Sequence, residues 1–559
     1  MKEFKQSYDI VVIGAGISGL TSSALFGKMG LSTCVLEMDP RPGGYMAGFE
    51  RKGYKFDSAI HWLNDCGPNG FVSKIFKIIG DDIPEALQQN HIRRFVGKDV
   101  NYLVTNQPDL LKEQWVKEFP EDKKGIVKFF RDAKRLSKSF DKHINLSRSM
   151  DTMNWLEKSI HGLKMLDFAI PFIPHIRFSG DKGVQKGLSK YFKSQKLKNV
   201  FASEPDLLSC LIPIAWAYSN NFQKPPIGGS RAYPEWLTYA SQKMGIDISF
   251  SSKVNKVLVE HNTVKGVSFV KNNQQYTINC KYVVATCDLE TLFEKMLPEG
   301  LIPQQKLEKL KHAELYSSAF SISLGLNCSA EELGLGEENI YLSDAKLTRD
   351  ELSLGNPHTT GLHIVAPSVR DKTLTPQNKG TLTIFMPAWI ENFDYWKCEK
   401  DKEGNYIRGE AYKKLKQDVA DILIERVQNK LIPQLKDHIE LIDIATPITH
   451  FRYTGNKNGT MMGQRPGQKN MQNKVASYTT PVNNLLSSGH WGDLGGGVPI
   501  AVKSALNTSL MILKKEDKKK FKVLAKYIDG KLSLEELRKS ALFYPYDSSW
   551  KLESSKQKV

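Results

Sequence analysis

The run Asp9-Ile10-Val11-Val12-Ile13-Gly14-Ala15-Gly16-Ile17-Ser18-Gly19 decides the fold. Asp9 to Ile13, apolar and β-branched at four of five positions, read as a short strand, the glycines as a turn, residues 20–29 as a helix, and 31–36 as a second strand ending at Glu37. Strand, glycine turn, helix, strand and acid together form the pattern of a dinucleotide-binding unit. Gly14 permits the tight turn, Gly16 lets the backbone approach a pyrophosphate, and Gly19 lets helix and strand pack closely. The helix N-terminus offers unpaired N–H groups to phosphate. Glu37, eighteen residues past Gly19, stands where a carboxylate accepts hydrogen bonds from a ribose and disfavours a 2′-phosphate.

Arg41-Pro42-Gly43-Gly44 follows the acid, and then comes Gly48-Phe49-Glu50-Arg51-Lys52-Gly53-Tyr54-Lys55-Phe56-Asp57. A similar arginine-glycine turn in flavoproteins of the glutathione-reductase type extends the phosphate cradle, so the stretch points to FAD. With Glu37, Arg41, Gly43, Gly44, Phe49, Gly53, Phe56 and Asp57 in this order, the chain resembles the phytoene desaturase family, which includes carotenoid isomerases and retinol saturases. Two later stretches carry the same resemblance. One is Pro226-Ile227-Gly228-Gly229 with Val254, Val264 and Val283-Val284-Ala285-Thr286-Cys287-Asp288; the other is Thr446-Pro447-Ile448-Thr449 with Gly489-His490-Trp491-Gly492-Asp493-Leu494-Gly495-Gly496-Gly497-Val498-Pro499.

The resemblance implies an α/β fold: a Rossmann-like FAD-binding domain of the glutathione-reductase type, interleaved with an α+β substrate domain. It implies that Gly14, Gly16, Gly19, Glu37, Arg41, Gly43, Gly44, Val254, Asp493, Gly496, Gly497 and Val498 hold the cofactor. Residues 485–488 read as a strand, and Pro499 suits the first turn of the next helix. In the family that helix points its N-terminus at the flavin, where its partial positive charge would stabilise an anionic reduced form. The chain departs from the pattern twice. His490 stands where many such flavoproteins place an aspartate against the ribityl chain, which leaves that contact open between His490 and Asp493. Ala59 stands where a glycine is common.

The expected segments are 1–66, 225–300 and 441–513 for the FAD domain, 67–224 and 301–440 for the substrate domain, and 514–559 for an appended basic tail. Within the first insertion, helices are expected over 123–140 and 183–195, and the 207–218 run containing Trp216 reads either as cavity lining or as plain core. Within the second, alternation at 317–326 and 381–386 predicts strands, and the spacing over 409–431 predicts a helix with one buried face. Residues 514–526 hold seven lysines and read as a solvated helix face or a docking surface for acidic groups.

Composition limits the rest. The chain has 559 residues, 40% hydrophobic and 25% charged, the balance of a globular protein of several domains. Seven scattered cysteines without a C-x-x-C pair suggest reduced thiols, and no histidine spacing suggests a metal. Residues 1–8 lack a leader pattern and 168–176 is too short to span a bilayer, so a cytoplasmic protein is expected. With 78 Lys and Arg against 61 Asp and Glu, the net charge of +17 suits peripheral binding to an anionic membrane; no nucleic-acid motif accompanies it.

The function implied by the resemblance is hydride transfer between flavin and a long apolar polyene or lipid, with the electron acceptor left open. The alternatives are a non-redox carotenoid isomerase using reduced FAD and a non-catalytic lipid-binding escort on the same fold. His61 and His490 are the candidates for proton handling, because each lies in a cofactor-lining motif and histidine titrates near neutrality; each would equally serve a structural role.

Overall fold

A computed structural model describes residues 4–344, 347–402, 404–540, 542–546 and 550. Its first sheet has seven strands in the order Asp247–Ser249, Thr33–Leu36, Ser7–Ile13, Gln274–Ala285, Thr263–Lys271 and Ser252–Glu260, with Leu485–Ser487 also paired to Gln274–Ala285. Ser7–Ile13 runs parallel to both neighbours. Its last four residues are buried, as expected of a strand covered on both faces. Gln274–Ala285 changes partners along its length: Gln274 to Asn279 pair antiparallel with Thr263–Lys271, while Val283 to Ala285 pair parallel with Leu485–Ser487. The helices Ile17–Met29 and Gly497–Glu516 pack on this sheet and share a core built from Val12, Leu25, Phe26, Val284, Val502 and Leu506.

The second sheet also has seven strands, in the order Ile439–Ala445, Ser318–Leu326, Gly380–Ala388, Leu362–Val365, Asn339–Leu342, His91–Gly97 and Val100–Thr105. Side chains on a strand alternate between faces. Phe320, Ile322, Ile364 and Ile384 pack with Val419, Leu423 and Val427 of the helix Glu410–Lys430. Ala319, Ser321, His363 and Phe385, one residue out of step, turn to the other side and line a cavity. A third, helical region is built on Trp115, Phe129, Phe130, Phe192 and Phe201, around the helices Pro108–Glu118, Lys123–Lys142 and Leu207–Tyr218.

Several expected boundaries are corrected. The helix Phe71–Ile79, assigned by the sequence to the substrate region, buries Phe71, Ile75, Phe76 and Ile79 in the nucleotide-domain core. The first insertion also supplies two strands of the second sheet, and Ile439–Ala445, expected to begin a nucleotide-domain segment at 441, pairs in that sheet as well. The 183–195 stretch is helical only to Leu188, within Gly180–Leu188. The segment after 514 is not an appended tail over its described part. Asp517 breaks the helix and caps the next one, accepting from the amides of Lys519 and Lys520 at 3.0 Å each. Helix Lys518–Ile528 then turns Leu524, Tyr527 and Ile528 into the first core, while its lysines face outward or, like Lys520, donate to a backbone carbonyl (Met29, 2.7 Å). Residues 551–559 of that expected tail lie outside the described residues.

Candidate active site

The three glycines of the first turn meet different surroundings. Gly14 has φ +102°, and a Cβ there would come within 2.6 Å of Thr286 Oγ1. A Cβ on Gly19 would lie 2.0 Å from the Gly14 carbonyl oxygen, so helix and strand meet at backbone distance. A Cβ on Gly16 would meet nothing within 4 Å. That open space belongs to a groove of about 730 Å³ lined by Gly14, Gly16, Glu37, Gly43, Gly44 and Val254 and by Gly489, His490, Gly497 and Val498 of the closing motif. Ala15 accepts from the Gly43 amide at 2.8 Å, bringing the Arg-Pro-Gly-Gly turn against the first glycine turn. Hydroxyl contacts Ser18–Ser488 at 2.9 Å and Ser488–Ser504 at 3.2 Å tie the first helix to the closing motif. Trp491, fully buried, donates to Asn456 Oδ1 at 3.0 Å and anchors that motif from below.

Glu37 is 8% exposed and already engaged. Its carboxylate accepts from the Ala15 amide at 2.6 Å and the Asp39 amide at 2.8 Å. Burial pushes its pKa up, against the pull of those amides. The acid therefore shapes the turn as well as facing the groove. Arg41 and Asp493, expected on the cofactor, do not form part of the wall. Arg41 donates to Asp39 at 3.2 Å and to the Gly48 carbonyl at 2.8 Å, and so braces its own turn. Asp493 accepts from the Tyr478 hydroxyl and pairs with Lys503 at 2.9 Å. Of the two residues left open for the ribityl contact, His490 is the one on the groove.

A second, larger cavity of about 1190 Å³ abuts the groove. Tyr45, Ile60, Met461, Met462, Gly497 and Val498 line both spaces and form their common wall. Tyr45 is fixed there by donating its hydroxyl to the Thr460 carbonyl at 2.6 Å. Gly496 lines the larger cavity only. Away from the wall this cavity is bounded by Trp216, Phe140, Phe168, Phe385 and His61. The 207–218 helix thus does both things its sequence allowed: Leu207, Leu211 and Ile214 are core and Trp216 lines the cavity.

His61 stacks on Phe385 at 5.0 Å, and Phe385 stacks on His363 at 4.8 Å. Burial, with the Arg370 guanidinium adding to it, lowers the His61 pKa to about 3. Burial alone lowers His490 to about 4. Both imidazoles are therefore neutral at pH 7, which corrects the expectation that they titrate near neutrality. The wall residues Tyr45, Met461 and Met462, and the groove cations Lys253, Lys295, Arg408 and Arg452, were not singled out from the sequence. Tyr45 alone had a local signal, its place directly after Gly43-Gly44.

Comparison with known proteins accords with this arrangement. Residues 12–79 match the family model of the NAD(P)-binding Rossmann-like domain. The chain is 26% identical to a protein of Danio rerio named inactive all-trans-retinol 13,14-reductase, covering 93% of this chain and 89% of that one. It is 24% identical to the chloroplastic prolycopene isomerase of Daucus carota, covering 88% and 78%. It is 23% identical to the 4,4′-diapophytoene desaturase of Staphylococcus aureus, covering 89% and 97%. Over most of its length the chain is similar to proteins that carry the names of retinol reductases, carotenoid isomerases and carotenoid desaturases. Among solved structures, an oxidoreductase from Methanosarcina mazei superposes with a TM-score of 0.54 at 16% identity, covering 90% of this chain and 100% of that one, a likeness of fold.

Proposed function

We propose that the chain is an FAD-dependent oxidoreductase acting on a long apolar polyene or lipid. The observation that carries this reading is the common wall: a groove built on a dinucleotide turn opens, across Tyr45, Met461, Gly497 and Val498, onto a large cavity lined mostly by apolar side chains. The groove fits an extended dinucleotide. Space stands open beside Gly16, and a Cβ on Gly44 or Gly489 would meet its nearest neighbours no closer than 3.5 and 3.6 Å. Residues from the first glycine turn to the closing motif would hold FAD along it.

When bound, FAD supplies the two-electron redox centre. The chain's own part is placement and exclusion of water. The first helix presents its N-terminal amides beside Gly16, and Lys253, Lys295 and Arg452 add positive charge along the same groove. The helix Gly497–Glu516 begins at the common wall, so its partial positive end faces the place where groove and cavity meet. His61 and His490, neutral and buried, act in this reading by shape and hydrogen bonding.

A second reading, isomerisation without net redox change, is favoured by the likeness to prolycopene isomerase. One experiment separates the two. Purified protein is first examined for flavin absorbance and then incubated with candidate polyenes and retinoids under reducing and oxidising conditions, with products analysed by mass. A two-hydrogen mass change supports the oxidoreductase and an isomer of equal mass supports the second reading. A colourless protein that cannot be reconstituted with FAD sinks both. Among the described residues no helix is long and apolar enough to cross a membrane. The charge of +17 accordingly suits surface attachment to an anionic bilayer.

A further inference from the structure

The helix Trp155–Ala169 has fifteen residues and no buried side chain. Its sequence is not that of a solvated helix. Leu156, Ile160, Leu163 and Leu166 follow at spacings of four, three and three, which puts them on one face. Trp155 is 78% exposed and Leu163 69%. The apolar surface continues beyond the helix through Ile170 and Ile173 to Ile176, all more than half exposed. A contiguous apolar surface of this kind marks a place where something else binds.

Two observations say what covers it. Met165 and Phe168, on the same helix, line the larger cavity together with Phe140, so the exposed face forms the rim of that cavity. Residues 123–198, which contain the patch, carry 18 Lys and Arg against six Asp and Glu, a net +12 within a chain of net +17. An apolar stripe in basic surroundings matches an anionic lipid leaflet. A second copy of the chain would set two such positive regions against each other, and that arrangement is repulsive.

The geometry points to a monotopic docking face: Trp155–Ala169 and Ile173–Ile176 lie in the headgroup region of an anionic leaflet and set the mouth of the larger cavity against the acyl chains. A substrate dissolved in the bilayer then enters without crossing water. The inference rests on the reading of that cavity as the site for an apolar substrate.

The test uses the full, flavin-loaded chain and vesicles of phosphatidylcholine with or without phosphatidylserine. Leu163→Glu with Ile170→Glu places two charges in the stripe, and Trp155→Ala with Ile173→Ala is a gentler second variant. Leu354→Glu, at an exposed leucine outside the patch, is the control. Wild type and control should co-sediment with acidic vesicles, and the double glutamate variant should bind about a hundredfold more weakly or less. The alanine variant should fall between, with flavin content unchanged in every case. Equal binding by wild type and the glutamate variant overturns the proposal. So does a wild-type dimer, seen by light scattering, that the patch substitutions dissociate while no form binds vesicles. Flavin content reports on the redox reading separately, since vesicle binding is measurable on colourless protein.

Discussion

Replacing Gly16 by valine separates what the glycine turn does for the fold from what it does for a ligand. Gly16 lies at φ −68°, a backbone conformation any residue adopts, and a Cβ there would meet no protein atom within 4 Å. The cost to the protein is limited to a poorer helix N-cap, about 1 kcal/mol. The side chain would instead occupy the space before the first helix. A pyrophosphate held there would accept about two charge-assisted hydrogen bonds from backbone amides, each worth about 1.5–3 kcal/mol. Losing two of them costs about 3–6 kcal/mol, or roughly 10²- to 10⁴-fold in affinity. The matched comparison is Gly19→Ala, whose Cβ would lie 2.0 Å from the Gly14 carbonyl oxygen and must push helix from strand. Calorimetric titration with FAD and thermal unfolding of both apoproteins measure the contrast. Gly16→Val should melt close to wild type and take up no flavin, whereas Gly19→Ala should melt well below it. Full flavin occupancy in Gly16→Val, or apoprotein destabilisation as large as that of Gly19→Ala, would refute the reasoning.

Further outcomes follow from burial. Glu37→Ala leaves the buried amide of Ala15 and the part-buried amide of Asp39 without that acceptor, so it should destabilise the apoprotein by about 2–4 kcal/mol in denaturant unfolding as well as weaken FAD binding. An effect on FAD alone would show the carboxylate to be a surface group. His61 and His490, with pKa values lowered to about 3 and about 4, should show no imidazole titration by nitrogen-15 NMR between pH 5.5 and 8. Because the folded state holds them neutral while the unfolded chain protonates near 6.5, their contribution to stability is present above that pH and declines as pH falls toward their folded values. A midpoint near 6.5 for either ring would place it in solvent. Leu524→Ala should cost about 2–5 kcal/mol, as a fully buried core leucine does, and a change under about 0.5 kcal/mol would return the segment to the status of an appended tail.

The nucleotide half was legible because its signals are local. Strand, turn, helix and acid fall within thirty or so residues, and each glycine has a geometric reason that a single sequence displays. The helices Lys123–Lys142 and Glu410–Lys430 and the strands Ser318–Leu326 and Gly380–Ala388 were legible from period alone. The strand His91–Gly97 was not, since Arg93 and Arg94 interrupt its alternation and its parallel partner, Asn339–Leu342, is distant in the chain. Seven lysines made 514–526 look solvated, although Leu524, Tyr527 and Ile528 stand at the spacing of a buried helical stripe. The common wall was least legible: Tyr45, Met461 and Gly497 come from three separated segments, and nothing local indicates that they meet. Arg41 and Asp493 show the converse, residues placed by motif whose side chains satisfy neighbours within the protein.

The two faces of the second sheet have separate obligations. Phe320, Ile322, Ile364 and Ile384 hold the helix Glu410–Lys430, while Ala319, Ser321, His363 and Phe385 give the cavity its outline. Because neighbours along each strand serve opposite sides, the outline can be recut with little disturbance to the packed side. A combinatorial library confined to the four cavity-facing positions would sample chamber shape on a nearly constant scaffold. Directed evolution toward a bulkier or shorter polyene would begin with those four codons.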